Sequence, residues 1–216
     1  MSESKEQKVK DLKIFSTKEE RVYYAAEKIL SIVMKYFKVK TAVDFGCGKG
    51  IFLKFLKDKG VSITGLDLEK KILSITEEEF FQTDLTKPVH LRKKYDLSIS
   101  LEVAEHLPES SAEIFISSLC EASDVVLFSA AVKGQGGVGH INEQFLSYWQ
   151  KIFLKKGYFL LDIIRPEIWN DDNVQPYYRQ NSVIFVSADT YKNIPESIKT
   201  ENKIVDMIHP FYAKTK

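Results

Sequence analysis

The stretch Thr41-Ala-Val-Asp-Phe-Gly-Cys-Gly-Lys-Gly-Ile-Phe-Leu-Lys-Phe-Leu56, closed by Gly60, decides the fold. A short apolar run meets three glycines in five positions, and apolar residues then return at helical spacing. That is a strand, a turn that needs glycine, a helix and a C-cap, in other words one βα unit. Upstream, Thr17-Lys-Glu-Glu20 reads as a capping box ahead of Val22, Ala25, Ala26, Ile29, Ile32, Val33, Tyr36 and Phe37, which recur on one helical face. Downstream, strands are expected at 61–66, just before Thr83, at 95–101 and at 124–129, with a short polar helical stretch after Asp67 and a helix over 110–121. A glycine-rich loop at 134–139, a helix over 144–154 and two closing strands at 158–164 and 182–187 complete the pattern. Strand–helix alternation with right-handed crossovers gives an α/β, doubly wound parallel sheet. Residues 1–16 are expected to be a flexible tail, and 17–216 a single domain.

Composition narrows the partners. The 216 residues are 44% hydrophobic and 28% charged, ordinary for a globular protein. Thirty-one Lys and Arg against thirty Asp and Glu leave a net charge of +1, which disfavours nucleic acid as a partner. The lysines at 54, 57 and 59 and the basic run at 92–94 read as solvated faces. The sequence has no run of the roughly 18–20 apolar residues that a membrane span requires. Two isolated cysteines, Cys47 and Cys120, fit a reduced, cytoplasmic setting.

In an open parallel sheet, ligands sit beyond the carboxyl ends of the strands. The residues at those ends are Asp44 with Gly46, Gly48 and Gly50, then Asp67, Asp84 and Glu102. The glycines let a ligand approach the backbone closely, and Asp67 lies where an acidic side chain accepts from ribose hydroxyls. The turn spacing is G-x-G-x-G, with Ile51 where a dinucleotide site needs a third glycine. Asp44 would repel phosphates and suits a cation. These electrostatics select S-adenosylmethionine, which carries an ammonium and a sulfonium and no phosphate.

Val43-Asp-Phe-Gly-Cys-Gly-Lys-Gly50 resembles the first motif of class I S-adenosylmethionine-dependent methyltransferases. Gly65-Leu-Asp67, Thr83-Asp-Leu85 and Tyr95-Asp-Leu-Ser-Ile-Ser-Leu-Glu-Val-Ala-Glu-His-Leu107 resemble the second to fourth motifs. The resemblance spans roughly residues 20–190. It implies a Rossmann-like, mostly parallel seven-stranded sheet with the last strand antiparallel. It implies that Gly46 and Gly48 line the methionine moiety, with Cys47 between them as a small turn residue. Asp67 would bind the ribose and Asp84 the adenine amino group, while Leu68 and Leu85 flank the adenine. The backbone near Leu101 and Glu102 would meet the amino-acid end. Residues 139–149 further resemble a small-molecule subgroup that includes enzymes of bacterial surface-glycan biosynthesis, so an O-methylated sugar or phosphorylated glycan precursor is the expected acceptor.

Methyl transfer to oxygen needs a group to take the hydroxyl proton, and His140 is the candidate base, with Glu105 and His106 orienting it or the acceptor. Glu102, Glu105, His106 and His140 also resemble the metal site of plant small-RNA 2′-O-methyltransferases, which offers metal-dependent ribose methylation as an alternative. A non-catalytic cofactor-binding subunit is a third reading. Tyr23 and Tyr24 are candidates for a lid over the acceptor and Asn142 for contact with it. Trp169, Tyr178 and Arg179 are candidates for stacking on a sugar and binding a phosphate. His209-Pro-Phe-Tyr212 carries no assigned role.

Overall fold

The computed structural model describes residues 13, 15–71, 74–199 and 206–213. Helix α1 is Lys18–Tyr36, capped by Thr17, whose hydroxyl accepts from the Glu20 N–H at 3.1 Å. The Glu20 carboxylate reaches one residue further back than a capping box would place it, to the Ser16 N–H at 2.7 Å. Seven strands follow: β1 Thr41–Phe45, β2 Ser62–Asp67, β3 Phe80–Gln82, β4 Leu97–Leu101, β5 Val125–Ser129, β6 Tyr158–Leu161 and β7 Val183–Ser187. Between them run α2 Ile51–Asp58, α3 Ala112–Ala122 and α4 Leu146–Lys155. After Asp67 the helical element among the described residues is a single 3-10 turn at Glu77–Glu79.

The sheet order is β3-β2-β1-β4-β5-β7-β6, parallel except for β7, which runs antiparallel to both its neighbours. Because strand side chains alternate in direction, each strand feeds two cores. Ala42, Leu97, Ile99, Val125, Leu127, Ile184 and Val186 pack under α1 and α2, in one apolar cluster. Val43, Val126, Phe128, Val183 and Phe185 pack on the other face, under α3 and α4, in a second. Phe153 of α4 stacks on Phe185 with centroids 3.8 Å apart. The order reverses between β1 and β4, so a ligand crevice is expected beyond those two strand ends.

The segment between the closing strands is built differently from the loop expected there. It folds into α5 Arg165–Ile168 and α6 Pro176–Asn181, each with a proline in its first turn, where the missing N–H costs nothing. A further short helix, α7 Ala188–Asn193, follows β7, and α8 Pro210–Ala213 ends the described chain. Of the stretch read as a tail, residues 1–12 and 14 lie outside the described residues, whereas Phe15 packs its ring 5.7 Å from that of Tyr24. The two lysine-rich segments are locally matched: Lys54 pairs with Asp58, Lys57 with Glu79 and Lys94 with Asp124. No helix among the described residues is long and apolar enough to cross a membrane.

Candidate active site

The turn after β1 is held down by the Gly46 and Cys47 N–H groups, which both donate to the Leu66 carbonyl of β2. Its first glycine is required twice over. Gly46 sits at φ 89°, and a Cβ there would lie 2.4 Å from a methyl of Val103. Around Gly48, by contrast, such an atom would meet nothing within 4 Å, which is the open approach a ligand needs. The Gly48 N–H donates to an Asp67 carboxylate oxygen at 2.9 Å, and the other oxygen accepts from the Glu69 N–H at 3.1 Å. Over the turn lies the first turn of α1, where Glu19 pairs with Lys49.

A hollow of about 220 Å³ opens there, lined by Val22, Asp44, Gly46, Gly48, Leu101 and Tyr178 among others. Asp44 is 5% exposed and its carboxylate makes no hydrogen bond among the described residues. Burial, reinforced by the charge of Asp67, pushes its pKa up to about 8. A buried carboxylate without partners is costly unless a cation meets it. The donor set therefore fits an ammonium-bearing nucleoside without phosphate. Cys47 beside it is buried, and that burial pushes its thiol up, as befits a packing residue and not a nucleophile.

Beyond β4 the chain turns sharply. Glu102 is the one described non-glycine residue with positive φ, at 56°. Its carboxylate faces inward to a ring of amides: Asn181 Nδ2 donates to it at 3.1 Å and Gln135 Nε2 at 3.3 Å. Gln135 Oε1 in turn accepts from Gln180 and Asn181, both at 3.0 Å. Glu105 is fully buried with no hydrogen bond to either carboxylate oxygen. Burial, then the charge of Glu102, pushes it up to about 8.

The glycine-rich loop brings His140 to this edge. His140 Nδ1 lies 2.8 Å from a Glu143 oxygen, and Glu143 also accepts from the Gly134 and Gly136 N–H groups at 2.9 and 2.8 Å. Burial alone would raise Glu143, but His140 and those two amides together hold it below the usual carboxylate range. An ionised Glu143 beside Nδ1 favours a proton on that nitrogen and leaves Nε2 to accept one. His106 stands edge-on to His140 with centroids 4.9 Å apart, its Nδ1 3.1 Å from the Gly139 carbonyl oxygen. One ligand atom from each of Glu105, His106 and His140 lies within 4.8 Å of the others. Glu102, expected as a fourth ligand, is turned into the amide ring instead.

Several expected site residues have other places. Tyr23, expected as part of a lid, donates to Asp58 at 2.8 Å, at the end of α2 about 12 Å from the glycine turn. Tyr24 donates to Asp171 and lines a separate hollow of about 560 Å³ with Lys28 and Ile168, which shares no residue with the one over Asp44. Arg179, expected to bind a phosphate, is 4% exposed and pairs with Asp172 at 2.6 Å. Trp169 packs its ring on His209. Leu85 is buried in the second core, whereas Leu68 is exposed. Asp84 makes an Asx turn, one oxygen accepting from both the N–H and hydroxyl of Thr86. Asn142 is buried beside Glu105, its N–H donating to the Glu105 carbonyl at 3.0 Å. Glu143, Gln135, Gln180 and Asn181 escaped the sequence reading. Only Glu143 carried a signal, as the acid three residues past His140.

A family model described as a methyltransferase domain matches residues 17–151. Among curated proteins, the chain is 29% identical over 126 residues to a ubiquinone biosynthesis O-methyltransferase of Hydrogenovibrio crunogenus, covering 53% of this chain and 48% of that protein. The chain thus spans about half the length of that relative. Among solved structures, the magnesium protoporphyrin IX methyltransferase of Synechocystis with bound S-adenosylmethionine superposes with a TM-score of 0.55 at 18% identity, over 78% of this chain and 80% of that one. DesVI of Streptomyces venezuelae gives 0.59 at 15% identity, over 87% and 100%. These two likenesses concern the fold.

The buried acids set a pH dependence of stability. Asp44 and Glu105 stay protonated up to about 8 in the folded chain, whereas unfolded carboxylates ionise near about 4. The folded state therefore binds more protons across that window, and stability falls as pH rises through it. The thermal midpoint is expected to drop between about pH 5 and 8, and Glu105→Gln to flatten part of that drop in circular-dichroism melts.

Proposed function

The chain belongs to the methyltransferase-domain family, and from that premise we propose that it methylates a hydroxyl oxygen of a small ring-bearing acceptor, using S-adenosylmethionine. Bound over Asp44, that cofactor supplies an electrophilic methyl group. His140 Nε2 would take the proton of the acceptor hydroxyl as that oxygen becomes methylated. The observation carrying this is the contact of 2.8 Å between His140 Nδ1 and Glu143, which prepares the opposite nitrogen as a base. The name of the curated relative supports oxygen over nitrogen as the site of methylation.

The pairing of Arg179 with Asp172 speaks for an acceptor without phosphate. Tyr178, which lines the hollow, supports a ring-bearing acceptor, and a phenol and a sugar hydroxyl are the two classes to try. A surface-glycan acceptor has only the resemblance of residues 139–149 behind it. Two free, buried thiols support a reducing compartment such as the cytoplasm.

Titration calorimetry with S-adenosylhomocysteine and turnover on catechol and methyl glucoside test this directly. Cofactor binding without turnover of either would favour the non-catalytic subunit. His140→Ala is expected to lower kcat by about 10²–10⁴ with cofactor affinity unchanged; equal losses in both would sink its role as base. Because Asp44 is protonated below about 8, a cationic ligand should expel its proton. Binding at pH 7 should release a proton and tighten as pH rises towards 8, and Asp44→Asn should abolish both effects, read by calorimetry in buffers of different ionisation enthalpy.

One observation favours a second reading of the same centre: Glu105, His106 and His140 converge as a cation would need. If a divalent ion assists the reaction, a chelator abolishes turnover and Mg²⁺ or Mn²⁺ restores it. Turnover indifferent to chelator removes that reading.

A further inference from the structure

Gln135 reaches from the glycine-rich loop into the interior, and the direction of each side-chain hydrogen bond around it is fixed. The His209 N–H can only donate, and Gln180 Oε1 accepts from it at 2.7 Å. Gln180 Nε2 is therefore the donor at 3.0 Å to Gln135 Oε1, which also accepts from Asn181 Nδ2 at 3.0 Å. That leaves Gln135 Nε2 to donate to one Glu102 oxygen at 3.3 Å, while Asn181 donates to the other at 3.1 Å. Gln180 and Asn181 are both buried. On the other side of the chain, Gly134 and Gly136 stand at φ 83° and 74°, a region that glycine enters without strain. Their N–H groups donate to Glu143 at 2.9 and 2.8 Å, and Glu143 lies 2.8 Å from His140 Nδ1. Consecutive residues 134–136 thus join two hydrogen-bonded clusters. The middle side chain grips the end of β4 and α6, and the glycine amides grip the carboxylate that orients the imidazole.

We propose that Gln135 is the positioning residue of the base: it docks the loop on Glu102 and α6, and thereby sets Glu143 against His140 Nδ1, so that Nε2 is the nitrogen left free for the acceptor proton. An apolar side chain could fasten a loop for stability alone. An amide that must donate to one partner while accepting from two others holds a single geometry, and here that geometry decides where two glycine N–H groups point. The proposal rests on the methyltransferase reading for the use of the base, and on these hydrogen bonds for its seating.

Nitrogen NMR of the imidazoles tests the seating without any acceptor, and with four histidines in the chain each can be resolved. At about pH 8, where an ordinary imidazole is neutral, His140 is expected to carry its proton on Nδ1 in the wild-type chain. Gln135→Ala should release the loop and shift His140 towards the Nε2–H tautomer that a free histidine side chain prefers. Gln135→Glu should do the same, because it sets a second carboxylate against Glu102. Adding Glu102→Gln to that variant exchanges donor for acceptor across the contact, so the pair should regain the Nδ1–H tautomer, which a mere loss of packing would not do. In turnover, Gln135→Ala should lower kcat about ten- to a hundredfold, with acceptor KM and S-adenosylhomocysteine affinity unchanged. An unchanged His140 tautomer in Gln135→Ala, or no recovery in the double variant, overturns the proposal. A wild-type chain that seats His140 in this way yet binds no S-adenosylhomocysteine overturns the methyltransferase reading instead.

Discussion

Two buried carboxylates, Asp44 and Glu105, and the half-buried Glu102 lie at one edge of the sheet, and among the described residues no lysine or arginine pairs with any of them. Burying a charge in this way is expensive, and proteins tolerate it by keeping the group protonated, surrounding it with donors or leaving it for a cationic ligand. All three solutions are present. Glu102 has its ring of amides, and Glu105 is held neutral by burial. Asp44 has neither a donor nor a counter-charge, although it faces an open hollow. A fold gains nothing in stability from such a residue, so its presence is explained by what the hollow receives.

The sheet makes that arrangement affordable. Its two cores take their side chains from alternate positions of the same strands, so the strand interiors are fixed by packing on both faces. The acidic residues lie at or just past the strand ends, and the order β3-β2-β1-β4-β5-β7-β6 puts the ends of β1 and β4 side by side. Asp44 pairs in register with Ile99 of β4, two residues before Leu101. A one-residue slip would carry Asp44 to the face of the second core and Val43 to the face of the first. The register that builds the core is therefore the one that exposes the carboxylate to the hollow.

Much of this was legible because it depends on local pattern. The turn at 46–50, the strand-end acids and the antiparallel last strand follow from spacing, composition and family resemblance, and the described structure has them. Side-chain destinations were legible only where one face of an element was already determined. Tyr23 and Tyr24 share a helix with Val22, yet Val22 meets the hollow while both phenols are drawn to aspartates elsewhere. Leu85 follows Asp84 and turns inward to the core. Arg179 reads as an anion site until α6 forms and brings it to Asp172. The partners of Tyr23 and Tyr24 lie 35 and 147 residues off and that of Arg179 seven residues back across a turn, and no periodicity reports any of them. The amide ring around Glu102 was hidden for the same reason, since Gln135, Gln180 and Asn181 are polar residues that look like surface until the two segments meet.

The glycine-rich loop shows how composition can mislead about dynamics. Its glycines read as flexibility, but two of them aim their N–H groups at Glu143, and a Cβ on Gly137 would lie 2.3 Å from the His140 ring. Glycine serves here for close approach, with backbone and imidazole packed where no side chain fits. At its other end the loop is fastened by Gln135 to α6, and so to Glu102. The histidine is thus fixed by its own carboxylate on one side and by the buried acids' network on the other. A base held in this way pays little entropy to reach its working geometry. The Gln135 side chain that satisfies Glu102 also anchors the loop that carries His140.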